Sequence, residues 1–163
     1  MAGVAIEVTG LDSVLAALGR LANPPMRAAF DEIGQYLVGE IQQLFRAGTA
    51  PDGTPWKPSL RAQAEGGKTL VDRGHLRDSY THDASNTELL VGTNDKRARI
   101  HQYGGEIRPL NARALHFVLP GGRHVATQKV TMPARPMLPE GDLPPAWQDE
   151  VLDILQHHLA AAA

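Results

Sequence analysis

Apolar residues recur at spacings of three and four from Met26 through Phe30, Ile33, Leu37 and Ile41 to Leu44. That period predicts one long amphipathic helix from Pro25 to about Ala47. Pro25 suits a first turn, where its missing N–H is not needed, and Gly48 suits the exit. Gly34 and Gly39 weaken such a helix, so close approach of another backbone is their expected use. Near the start, Val4, Ile6 and Val8 alternate with Ala5 and Glu7 as in a half-buried strand. Asp12 or Ser13 can then cap a short helix carrying Val14, Leu15, Leu18 and Leu21, stopped by Asn23-Pro24-Pro25.

Periodicity vanishes from Gly48 to Thr69, a stretch rich in Gly, Pro and small polar residues. A connection of this length is expected to be functional or disordered, and Trp56 within it speaks against plain disorder. The loop is expected to be mobile in the free chain, with Trp56 docking on the domain or on a neighbouring subunit.

Further on, Leu70 to Tyr80 reads as a turn or helix entering a strand, and Thr87 to Thr93 as the returning strand of a hairpin. Lys96 to Tyr103 reads as a short helix ended by Gly104-Gly105. Ala114–Leu119 and His124–Met132 read as a second strand pair joined by Pro120-Gly121-Gly122. A closing helix from Pro144 to Leu159 places Trp147, Val151, Ile154, Leu155 and Leu159 on one side. Asp149 and Glu150 sit early in it and His157 and His158 late, complementing its dipole.

The expected class is α+β: an antiparallel β-sheet of about four or five strands packed against a long amphipathic N-terminal helix and a C-terminal helix, with a long Pro/Gly-rich loop. A length of 163 residues, 42% of them hydrophobic, fits a single domain over 1–159 with 160–163 as a frayed tail.

The formal charge of −2 excludes a generally polybasic nucleic-acid binder, yet the charge is segregated. Between Lys96 and Arg135 stand Lys96, Arg97, Arg99, Arg108, Arg113, Arg123, Lys129 and Arg135 against Glu106 alone, so this segment carries +7 and the remainder −9. Such a field is attractive to phosphates or to an acidic protein surface, or is a plain solvated face. Its aromatics are Tyr103 and Phe117. Phe117 alternates with Leu115 and Leu119 as core residues do, which argues against base stacking and sequence reading.

Cysteine is absent, which removes disulfide scaffolds, thiol catalysis and thiolate metal sites. The apolar runs are too short to span a bilayer, and no basic region precedes the first of them, so a soluble intracellular product without membrane partners is expected. The seven histidines show no metal-ligand spacing. Asp72, His75 and Ser79 lie close together, but nothing in their spacing fixes a catalytic geometry, and a capped turn explains them. The glycine-rich pieces lack the Lys-Ser/Thr of a phosphate loop. No enzyme activity, metal or cofactor is expected.

Four stretches stand in a specific order. They are Pro51-Asp52-Gly53-Thr54-Pro55-Trp56; Leu70-Val71-Asp72-Arg73-Gly74-His75-Leu76-Arg77-Asp78-Ser79; Val91-Gly92-Thr93-Asn94 leading to Ile100-His101-Gln102-Tyr103-Gly104-Gly105; and Pro133-Ala134-Arg135-Pro136-Met137-Leu138. Together they resemble the phage virion morphogenesis family of tail-completion proteins in Mu-like and P2-like phages and prophages. Arg97 stands where that family often has an aromatic, and Met137 where a Phe is common.

The resemblance implies a structural virion protein of the neck, made in the bacterial cytoplasm, that forms a ring at the head-proximal end of the tail and enables head-tail joining. The implied partners are further copies in a hexameric ring, other neck or connector proteins, the tail tube protein and, by proximity, genomic duplex DNA. The interface candidates are Trp56, Arg97, Arg99, His101, Tyr103, Arg108 and Arg135. The rival classes are a small DNA-binding or regulatory module using residues 96–135 and, further off, a metal-dependent hydrolase or nuclease.

Overall fold

The computed structural model describes residues 25–162, so the strand expected at Val4–Val8 and the helix expected after Asp12 lie outside the described residues. Helix α1 (Arg27–Ala47) is the axis of the fold. It turns its Ile33, Leu37, Ile41 and Phe45 stripe inward, a strict i, i+4 row on one face. Gly48 ends it in the left-handed region (φ 78°), its N–H donating to Leu44 O at 2.7 Å. Pro25 precedes the first turn rather than entering it.

Helix α3 (His75–Asp78) leads into the hairpin β1 (Tyr80–Ala84) and β2 (Leu89–Thr93), whose register runs from Tyr80↔Thr93 to Ala84↔Leu89. The hairpin packs across α1, and the closing helix α5 (Pro145–Ala162) packs on α1 as well. Phe45, Ile41 and Met137 are sealed at the centre, with Trp56, Leu76, Tyr80, Trp147 and Ile154 around them. Tyr80 donates its hydroxyl to Met137 Sδ at 3.4 Å, and burial pushes that phenol up to about 12.

The hairpin reaches α1 at one glycine. A Cβ on Gly34 would stand 2.8 Å from His82 Cβ, so a side chain, not a backbone, makes the close approach. Gly39 meets nothing and is exposed. Gly34→Ala is expected to destabilise the fold by ~1–3 kcal/mol through overpacking, and to dislodge the His82 Nε2 contact with Asp31 Oδ1 at 2.9 Å. Urea unfolding measures it, and an unchanged midpoint would refute this account of the helix–hairpin contact.

The stretch 48–69, read as a long Pro/Gly-rich loop, holds a tight loop and a short helix. Trp56 N–H donates to Gly48 O at 2.8 Å and Ala50 N–H to Thr54 O at 2.8 Å, closing residues 49–55 into a tight loop. Helix α2 (Leu60–Glu65) then follows, capped by Ser59 Oγ accepting from Ala62 N–H at 3.1 Å. The C-terminal helix runs through Ala162, and Leu159, expected on its inward side, is exposed.

The sheet departs from the expectation. Among the described residues there is no single four- or five-stranded sheet but three separate antiparallel pairs. After α4 (Ala98–Tyr103), strand β3 (Gly105–Ile107) pairs with β6 (Val130–Met132), while β4 (Leu115–Val118) pairs with β5 (His124–Thr127). The stretch read as one strand, His124–Met132, is thus divided between two partners. The reason is a length mismatch: residues 108–114 stand on the outgoing side where only 128–129 stand on the return. The result is an arm, rooted in β3–β6 and tipped by β4–β5, whose tip strands pack chiefly on each other. Phe117, expected in the core, is 37% exposed there.

Candidate interaction surface

The arm is the most exposed apolar part of the described chain. Leu110 is 96% exposed, and Ile107, Phe117 and Val118 are also open. Its charges are partly spent on one another, since Glu106 takes Arg108 Nη2 at 2.6 Å and Lys129 Nζ at 2.8 Å. Those two cations hold the Glu106 carboxyl below the usual range. Arg113 and Arg123 make no ion pair among the described residues.

At the root of the arm, α4 fixes several candidates in different environments. Arg97 is its N-cap and folds back on Asp95, which accepts from Arg97 N–H at 2.9 Å and from Nε at 2.9 Å. These bonds pull Asp95 down to about 2. Arg99 is exposed and makes no such pair, and Tyr103 is 66% exposed at the end of α4. Gly104 (φ 69°) follows, where a Cβ would lie 2.8 Å from Ala134 N and 2.9 Å from Met132 O. Only glycine lets the outgoing chain pass the returning one so closely.

Arg135, by contrast, is 4% exposed. Its Nε donates to Lys57 O at 2.8 Å and its backbone N–H to His101 O at 2.6 Å, tying the returning chain to the 56–58 segment and to α4. Trp56 is 5% exposed, edge-on to Phe45 with ring centroids 5.4 Å apart, and its Nε1–H donates to Pro136 O at 2.9 Å. Both side chains are internal in the chain, and the Trp56 Nε1–H and the Arg135 Nε–H each meet a backbone carbonyl.

Between Lys57–Gln63, Leu70–Leu76, α4 and Val130–Arg135 runs an open cleft of about 600 Å³. Segments from three of the four ordered motifs line it. Its charged lining is Lys57, Arg61, Arg73, Arg97 and Arg135 against Asp72. Arg61 Nη2 is held by Lys68 O and Val71 O, each at 2.7 Å. His101 also lines the cleft, and its Nδ1 is sealed with no hydrogen-bond partner. Burial, then the neighbouring Arg135 and Arg97, hold the His101 imidazole below the ordinary histidine value.

A pH dependence follows from that depressed value. Below the unfolded value of about 6.5 the unfolded chain takes the proton first, so stability falls on acidification until the native midpoint is reached and then levels off. His101→Gln is expected to flatten this part of the stability profile. NMR titration checks the midpoint directly, and a native value above 6.5 would contradict the burial argument.

Ser79 and its neighbours form a capped turn. Ser79 Oγ contacts Leu76 O at 2.8 Å and Thr93 Oγ1 at 2.7 Å, so its hydroxyl serves the α3–β1 junction. Among the described residues no group of three or more His, Asp or Glu side chains is gathered as a metal site, and no helix is long and apolar enough to cross a membrane.

Sequence reasoning passed over Gln102, which is 7% exposed. Its Oε1 accepts from Met137 N–H at 2.8 Å and Leu138 N–H at 3.0 Å, and its Nε2 donates to Leu138 O at 2.8 Å. The available signal was an uncharged amide four residues after Ala98, on the helix face turned toward the core.

Over residues 6–160 the chain matches the phage virion morphogenesis family. It belongs to that family. A relative within reach is Mu-like prophage FluMu G protein 2 of Haemophilus influenzae, 30% identical over 157 residues, which cover 95% of each chain. No solved structure matches. Membership in the virion morphogenesis family gives the chain a role in phage virion assembly.

Proposed function

We propose that this chain is a structural virion protein of the tail-completion type, acting by shape and charge rather than by catalysis. It forms a ring, hexameric to match a six-fold tail tube, at the head-proximal end of the tail and enables head-tail joining. Other neck or connector proteins and the tail tube protein are its neighbours.

The observation that carries this reading, beside the family, is the arm. An isolated two-stranded ribbon is marginal in water, and this one exposes Ile107, Leu110, Phe117 and Val118. Burying these residues against neighbours supplies the missing core. A basic arm on a chain whose remainder is acidic suits a heterologous contact, one copy's arm on the next copy's body, which closes into a ring without free ends.

Deletion of the gene tests the reading. The expected outcome is filled heads and separate tails, or tails of abnormal length, with loss of infectious particles. Normal infectious particles from a clean deletion would remove the proposal.

A further inference from the structure

We propose that the cleft at the root of the arm is a carboxylate-binding site, filled in the assembled particle by an acidic side chain of a neighbouring subunit. The inference rests on the ring reading for the source of the carboxylate, but not for the site itself.

The site is built before any ligand arrives. Arg135 is held by its Nε–H and backbone N–H bonds to Lys57 O and His101 O, which fix the guanidinium without using its far edge. Its two terminal nitrogens make no hydrogen bond among the described residues and are not among the sealed, unpartnered atoms, and Arg135 lines the cleft. A fixed guanidinium edge offers two parallel N–H donors, the geometry that matches a carboxylate.

His101 lies beside it. Its Nδ1 is sealed without a partner, while Nε2 also makes no hydrogen bond among the described residues and is not sealed. A neutral imidazole protonated at Nε2 therefore presents a further donor. Arg73 and Lys57, both exposed and in no ion pair among the described residues, add positive charge around the opening.

Two features favour a carboxylate over a phosphate. The lining includes Pro58, Leu70, Leu76, Val130 and Met132, which suit the aliphatic stem of Glu or Asp better than a fully hydrated dianion. Asp72 on the same lining repels a dianion more than a monoanion. The charge segregation supplies the partner's chemistry, because the acids lie outside residues 96–135 almost without exception.

The test begins with the full chain, histidines isotopically labelled, titrated by NMR with sodium acetate, sodium phosphate and sodium chloride at matched ionic strength. The expected result is a saturable shift of the His101 signals with acetate, none with chloride, and no change at the exposed His157. The His101 midpoint should rise as the bound anion offsets Arg135 and Arg97. Arg135→Lys should weaken the acetate response at least tenfold. Arg73→Ala, at an exposed position that does not support the fold, should weaken it two- to fivefold, so the proposal stays testable even if Arg135→Lys fails to fold.

A response to chloride equal to that with acetate, or saturation by phosphate at lower concentration than acetate, overturns the assignment. Particles imaged at side-chain resolution separate the two readings. A ring whose cleft holds a neighbour's carboxylate supports the inference; a ring with an empty cleft overturns it and leaves the ring standing. Particles without such a ring overturn the neighbour as the source and the ring reading together, while the acetate titration still decides whether the site exists.

Discussion

Trp56→Ala is expected to destabilise the isolated chain by ~3–5 kcal/mol, the range for emptying a buried aromatic site. The indole is edge-on to Phe45 and donates to Pro136 O, so the substitution opens a cavity beside the most deeply buried ring and leaves a carbonyl without its donor. Against a total stability of ~5–15 kcal/mol, that is a large share. Trp56→Phe keeps most of the apolar volume and loses the hydrogen bond, so a smaller loss of ~1–3 kcal/mol is expected. Urea unfolding followed by the fluorescence of Trp147, the other tryptophan, separates the two variants. An Ala variant that unfolds like the parent but fails to assemble would restore the subunit-contact role that its loop composition suggested.

That contrast shows what the pattern of residues conveys. Helix α1 was legible because six turns of i, i+3, i+4 spacing leave one consistent face, and Phe45 simply extends the row from Ile41. The β1–β2 hairpin was legible from the apolar run Leu89-Leu90-Val91 returning after Ser85-Asn86, although β1 itself is largely polar. Strand partners beyond a hairpin were not. Alternation announces a strand but says nothing about which strand it meets, and the surplus of residues 108–114 over 128–129 breaks the ribbon without any change in alternation. Phe117 carries the same pattern as a core residue, yet it sits on an arm that stands away from the core.

The site was legible in composition and obscure in placement. The basic stretch 96–135 was visible as charge, but charge does not say which cations are already paired. Arg97 folds onto Asp95 and Arg108 onto Glu106, Arg99 stays open, and Arg135 turns inward. Burial of Arg135 depends on carbonyls from Lys57, seventy-eight residues away, a coincidence in space that no local spacing encodes. The ordered motifs do converge in space, since Leu70–Leu76, His101 and Pro133–Arg135 line one cleft.

Gln102 is the position at which a single polar substitution is expected to act most widely. Its amide closes three hydrogen bonds to the backbone of Met137 and Leu138, the segment that carries the sealed Met137 side chain into the core. Gln102→Ala leaves two N–H groups and one carbonyl without partners, at ~1–3 kcal/mol for each group that stays dry. The expected total is ~3–5 kcal/mol after partial relaxation. Met137 loses its anchor in the same step, so the contact with Tyr80 should loosen and the phenol should titrate closer to its ordinary value. Gln102→Glu discriminates a hydrogen-bonding role from mere packing. Protonated, the new carboxyl keeps the acceptor for the two N–H groups and a donor for Leu138 O; ionised, it loses that donor and buries a charge. Its folded midpoint is therefore raised, the native state binds the extra proton, and stability is full at low pH and falls as pH rises from about 4 upward. The difference between Gln102→Glu and the parent, measured by urea unfolding from pH 4 to 8, should widen as pH rises from about 4 and level off above the variant's folded midpoint. A difference that is flat with pH would show that the side chain at 102 reaches water, and the bridge between α4 and the Met137 segment would then not hold the core.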